Sequence, residues 1–209
     1  MSALDHIAHF QNRRDEVPNQ ELARQLASKK DRLGIREIAE NLWNKDKGIQ
    51  ADCIKVLYEV GYIDPALIAD HVEDFIKLLK SKNNRLVWGG MIALGTIAEL
   101  KADMVFAHFS EIRQTMESGS VITMDNGVQT LARAASQDEK YSKAIFPYLL
   151  QHLKTCRPKE VAQHSEKTLP AVNSSNKKQF IAVLEKRTDD LSGPALTRVK
   201  KVMRAAQNL

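Results

Sequence analysis

The side chains in this sequence that could make or break bonds, or hold a metal, are few and scattered. Six histidines and two cysteines are present. His6 and His9 stand three apart on a leading segment, a possible ligand pair that no cysteine or third histidine completes. His71 and His108 are separated by 37 positions. Cys53 and Cys156 lie far apart, in no CxxC or Cys/His ligand spacing, and read as two reduced thiols. No Gly-rich phosphate loop, HExxH, GxSxG or EF-hand loop occurs. The expectation is no metal and no cofactor.

A second set of residues offers recognition. Trp88 brings a large indole with one donor; Asp125, Asn126, Gln129, Arg133, Arg157 and His164 bring a carboxylate, amides, guanidiniums and an imidazole. Asp125 and His164 would also form an acid/base pair if they met. These positions are spread over more than seventy residues, so a regular scaffold must bring them together.

That scaffold is written as a repeat of about 37 residues. Ile68, Val72, Phe75 and Leu79 make a helical apolar stripe, and it recurs at Val105, Phe109, Ile112 and Met116 and at Ser142, Phe146, Leu149 and Leu153. One period earlier stand Asp31, Ile35, Ile38 and Leu42, and one later Phe180, Leu184, Arg187 and Leu191. A second pattern carries Leu57, Leu94, Leu131 and Leu169 at the same spacing. Each unit is therefore a helix pair. First helices are predicted near 31–44, 65–80, 102–118, 139–155 and 176–191, and second helices near 47–61, 83–100, 121–136, 158–172 and 194–207. Residues 2–11 and 19–30 are predicted as leading helices. The chain reads as one domain over 1–209, with N-terminal cap helices at 1–30, core repeats at 31–175 and a basic capping repeat at 176–209.

The run Asn84-Arg85-Leu86-Val87-Trp88-Gly89-Gly90-Met91-Ile92-Ala93-Leu94-Gly95 resembles the second-helix signature of HEAT repeats, within the ARM-type α-solenoids. The resemblance implies an all-α, right-handed superhelix of about five helix pairs plus an N-terminal helical cap, with second helices lining the concave side. Stepping by the repeat then places Ala51, Trp88, Asp125 and Gln163 in one row of that face, and Asp52, Gly89, Asn126 and His164 in the next. Lys55, Ile92, Gln129 and Lys167 make a third row. If His164 touches a ligand there, binding should change between about pH 5.5 and 7.5.

A more distant resemblance bears on DNA. Leu42-Trp43 followed by Gln50-Ala51 is similar to a fragment of the HEAT-like DNA alkylation repair glycosylases. Those enzymes use a concave-face Trp, an Asp one turn later and an Arg on the following repeat. Trp88 matches the first, but Ile92 stands where the carboxylate belongs, and Asp125 or Asn126 where the Arg belongs. The resemblance implies DNA binding without that chemistry.

Charge adds a second pointer. The net charge is +5, and residues 176–209 carry all of it, with eight basic residues against three acidic. That end serves as a polar cap or as a weak, salt-sensitive contact for nucleic acid. The longest uncharged run, Leu86–Ala98, is thirteen residues, short of a membrane span. The absence of a secretion signal gives the expectation of a cytoplasmic protein. The functional expectation is a non-enzymatic scaffold presenting a concave groove to a protein or peptide partner, with a DNA-binding role as the alternative.

Overall fold

The computed structural model describes residues 2–209. Twelve α-helices follow one another along them: α1 (Val17–Lys29), α2 (Arg32–Glu40), α3 (Lys47–Ile63), α4 (Val72–Leu78), α5 (Asn84–Ile97), α6 (Ala102–Ala107), α7 (Phe109–Ser118), α8 (Val121–Ala135), α9 (Glu139–Thr155), α10 (Pro158–Thr168), α11 (Lys177–Arg187) and α12 (Gly193–Gln207). Short polar side chains start many of them. Asp31, Asp46, Asn83, Ser120 and Asp138 each accept a backbone N–H of the helix that follows, satisfying donors that no helical carbonyl can reach.

The helices form two layers. The inner row is α1, α3, α5, α8, α10 and α12, each packed on the next, and α2, α4, α6 with α7, α9 and α11 cover its back. Small residues let the inner row close up. A Cβ on Gly89 would lie 2.7 Å from Cγ1 of Ile54 on α3, and one on Gly95 would lie 3.1 Å from Thr130 Oγ1 on α8. The apolar stripes of both layers meet in one continuous core running from Ile7 to Ala206. Among the described residues, no helix is long and apolar enough to cross a membrane.

Three predicted elements differ from what forms. Residues 2–11 are not a helix but a single 3-10 turn at Leu4–His6 followed by further turns. Their amides are taken by acceptors from elsewhere: Ala3 N donates to Glu37 Oε2 (2.9 Å), Ala8 N to Asn19 Oδ1 (2.9 Å) and His9 N to Asp52 Oδ2 (2.7 Å). The predicted helix at 65–80 opens as two 3-10 turns and becomes α-helical only at Val72. The one at 102–118 is interrupted at His108, between α6 and α7. This break lets Phe106 stack on Tyr141 (4.5 Å) while Phe109 meets Tyr148 edge-on (5.9 Å), so two aromatics spaced three apart reach different parts of α9.

Arg187 shows why one stripe position is charged. Its guanidinium is buried and donates to the carbonyls of Leu153 (2.6 Å) and Cys156 (2.8 Å) at the end of α9, and to Asp190 (2.6 Å). It thereby closes orphan carbonyls of one repeat from the next. Arg187→Ala is expected to cost about 2–3 kcal/mol, because those carbonyls lose charged donors inside the core. Arg187→Lys, with no planar fork, should recover less than half of that loss in urea denaturation.

Candidate functional site

The inner row brings the sequence-predicted residues onto one side, though not all of them to the surface. Trp88 and Ala51 line one cleft, and Asp125 touches Gln163, with Gln163 Nε2 donating to Asp125 Oδ2 at 3.1 Å. Two neighbouring pairs of the expected row, Ala51 with Trp88 and Asp125 with Gln163, thus meet.

At its first half, Trp88 sits half-buried, its ring tilted against Tyr58 with centroids 6.3 Å apart. The cleft beside it holds about 180 Å³ and is walled by the segment before α1 and the first turns of α1, α3 and α5. That volume suits one side chain and falls below the usual range for a small-molecule pocket. Its walls are charged. Arg13 is bound to Asp15 (2.9 Å), and Lys55 is held by Glu16 (2.8 Å) and Glu59 (2.7 Å). Arg14 and Arg85, both exposed, make no ion pair among the described residues. The sequence reading missed Arg13 and Arg14, because their segment precedes the first repeat and follows no period.

The second half is a hydrogen-bonded chain. Asp125 on α8 bonds Nε2 of His164 at 2.6 Å, and Nδ1 of His164 bonds Nε2 of His152 on α9 at 2.8 Å. Lys167 Nζ donates to the Asp125 carbonyl at 2.8 Å. His164 is fully buried. Its expected place on the ligand-facing surface, and the pH-dependent binding that would follow, are therefore corrected: the ring points inward and its two nitrogens are spoken for. The acid/base pair gains contact and loses access, since only Asp125 reaches toward solvent.

The remaining candidates are tied locally. Asn126 donates to Ile122 O (2.8 Å), and Arg133 Nη1 donates to Gly95 O (2.7 Å), joining α8 to α5. Gln129 is partly exposed on α8. Arg157 caps α10 through a paired contact with Glu160. His71 and His108 pair with acids on their own segments, Asp74 and Glu111, at 3.6 and 3.5 Å.

His152 comes from outside the predicted set. It lies four residues before Cys156, a spacing that puts both on one helical face, and this corrects the reading that Cys156 has no histidine at ligand spacing. Burial pushes the His152 imidazole down to about 4, with the neighbouring His164 acting in the same direction and Glu160 and Asp125 opposing. The folded state therefore binds its proton less readily than the unfolded chain, whose imidazole titrates near 6.5. Stability from this group is complete above about pH 6.5 and is lost as the pH falls toward 4. The loss should be on the order of 2 kcal/mol once solvent screening of a partly exposed ring is allowed for. Urea midpoints between pH 7 and 4.5, with a chelator present, should fall in the wild type and stay flatter in His152→Gln.

No protein-family model and no curated protein matches the chain. Its fold does match solved structures. An engineered protein superposes with a TM-score of 0.67 at 17% identity, over 100% of this chain and 98% of that one. A designed armadillo repeat protein in complex with the peptide (KR)4 gives 0.67 at 13%, over 90% and 85%. The karyopherin Kap121p bound to the SUMO protease Ulp1p gives 0.66 at 12%, with 96% of this chain covering 22% of that one. The chain is an all-α repeat solenoid of the armadillo/HEAT kind.

Proposed function

We propose that this solenoid is a binding scaffold that holds an extended, acidic protein segment along its inner row, with Trp88 as the anchor. The observation that carries the reading is the half-buried indole in a side-chain-sized cleft flanked by Arg14 and Arg85. An indole in such a place supplies large contact area at low entropic cost, the usual make-up of an interface hot spot. Two exposed guanidiniums without an ion-pair partner would receive carboxylates on either side of the anchored side chain. The designed armadillo protein holds a peptide of alternating Lys and Arg; here Arg14 and Arg85 are the cleft's unpaired charges, the acids Asp15 and Glu16 being paired with Arg13 and Lys55, so the preferred segment is acidic instead. Asp125, Asn126, Gln129 and Arg133 would extend the contact along α8.

The basic last repeat offers less to nucleic acid than its composition suggests. Arg198 is bound to Glu166 through two contacts of 2.8 and 2.6 Å, and Arg187 is buried. A fluorescently labelled peptide alternating Glu and Leu, the basic peptide (KR)4 and a short single-stranded DNA distinguish the readings by anisotropy. The proposal expects the acidic peptide to bind best and to lose about tenfold or more in affinity in Arg85→Glu. Preference for DNA, with affinity unchanged in Arg85→Glu and lost in Lys200→Glu/Lys201→Glu, would replace it with the nucleic-acid reading.

A further inference from the structure

We infer that His152, Cys156 and His164 form a binding site for a borderline-soft divalent transition metal, zinc above all, at the α9–α10 corner. One nitrogen from each imidazole and the Cys156 sulfur all lie within 4.8 Å of one another. The two nitrogens that face each other are Nε2 of His152 and Nδ1 of His164, 2.8 Å apart. In a tetrahedral zinc site, bonds of about 2.0 Å to nitrogen and 2.3 Å to sulfur put ligand atoms roughly 3.3–3.7 Å apart. The imidazoles must part by about half an ångström and the sulfur, which lies within 4.8 Å of them, must close toward that spacing, with His152 the more exposed of the two rings.

Two features favour a metal over a mere hydrogen bond. The first is the partner of the far nitrogen of His164. Asp125 Oδ1 accepts from Nε2 at 2.6 Å, which fixes the proton on Nε2 and leaves Nδ1 as a lone pair aimed at His152 and Cys156. A carboxylate behind the outer nitrogen of a ligand imidazole is the usual second layer of a zinc–histidine site, where it orients the ring and raises its basicity. The second is the composition of the set: two imidazoles and a thiol are the donors that zinc, and after it cobalt and copper, select, whereas magnesium and calcium require oxygen. Burial pushes the Cys156 thiol up, with Arg187 beside it opposing in part, so the bound metal itself must draw off the thiol proton.

Binding is written as ligand exchange without redox change. The divalent ion exchanges three waters for Nε2 of His152, Nδ1 of His164 and Sγ of Cys156. The Nε2 proton of His152 moves to its Nδ1, and the thiol proton leaves to solvent, so one proton is released per ion. Three protein ligands leave a fourth position for water or an incoming group. The site would also pin α9 to α10 directly behind Asp125, which belongs to the inner row.

Cobalt(II) titration of the reduced full-length chain tests this, because a thiolate-bound tetrahedral cobalt has an intense near-ultraviolet charge-transfer band and strong visible bands. The expected result is one ion per chain, with that band absent in Cys156→Ser and the affinity lowered about 100-fold in His152→Gln, both variants keeping wild-type circular dichroism. Zinc should displace the cobalt stoichiometrically and raise the melting temperature of the wild type alone. Asp125→Asn, which keeps an acceptor for His164, should weaken cobalt binding roughly 10–100-fold. No binding at equimolar cobalt, or binding that lacks the thiolate band and survives His152→Gln, would overturn the assignment and place any ion on surface histidines such as His6 and His9.

Discussion

Asp125→Ala is expected to destabilise the chain by about 2–4 kcal/mol, although its carboxylate is partly solvent-exposed. The reason lies in what it supports. His164 has no exposed atom, and its Nε2 finds its acceptor in Asp125. Removing that acceptor leaves a buried N–H unpaired, or forces a tautomer change that breaks the contact with His152. Gln163 loses its partner as well, but at a partly exposed position where water replaces it. Asp125→Asn keeps an oxygen for the same N–H, so it should cost about 1 kcal/mol or less. For a chain of this length the alanine change corresponds to a fall of roughly 5–12 °C in melting temperature, read by differential scanning calorimetry in chelator-containing buffer. A fall of less than a degree would mean that His164 is satisfied some other way, and the buried chain from Asp125 to His152 would lose its structural importance.

Gly89→Val gives the second large effect and acts through a different cause. The inner row depends on α3 and α5 lying close, and an added Cβ meets Ile54 at 2.7 Å to Cγ1 and 3.1 Å to Cγ2. Ile54 is almost fully buried and β-branched, so it has few rotamers into which it can retreat. Either the two helices separate or Ile54 leaves its rotamer, at a cost of about 2–3 kcal/mol. Replacing glycine in a helix should by itself gain a few tenths of a kcal/mol, so the sign of the measured change decides between propensity and packing. Ile54→Ala costs about 2–5 kcal/mol alone by leaving a cavity. The double variant should lose clearly less than the two singles summed, because the new methyls fill space that the isoleucine vacates. Strict additivity would mean that the two side chains do not compete for the same volume.

Much of the fold was legible because a solenoid repeats its physics. The stripe Ile68, Val72, Phe75, Leu79 is buried at every position, as are Leu57, Leu94 and Leu131 one period apart. Even Arg187, an apparent exception in the stripe, proves to be buried, because the end of α9 presents carbonyls to it. What the pattern could not show are features without a period. Residues 2–11 have helical composition, yet acceptors contributed by Glu37, Asn19 and Asp52 take the amides of Ala3, Ala8 and His9 out of helical pairing. Such long-range capture leaves no local trace.

The candidate site was half legible for the same reason. Row counting puts Ala51 beside Trp88 and Asp125 beside Gln163, and both pairs meet, since the repeat fixes which residues are neighbours on successive helices. It cannot tell a residue pointing outward from one turned under its neighbour, and His164, one position on from Gln163, is the case in point. The His152–Cys156 pair was available as an i, i+4 spacing at the end of a predicted helix, but the third member comes from another helix and closes the cluster only in three dimensions.

The proposed scaffold engages its partner along the inner row through the indole of Trp88. Trp43, exposed in the 3-10 turn that follows α2, can be removed as Trp43→Phe so that all indole emission reports on Trp88. Titrating that variant with the alternating Glu/Leu peptide should produce a saturable change in emission wavelength and intensity, and Trp88→Ala should weaken binding of the labelled peptide about tenfold or more. Peptide binding that leaves Trp88 emission unchanged and survives Trp88→Ala would contradict the account, and the binding face would have to be sought elsewhere on the solenoid.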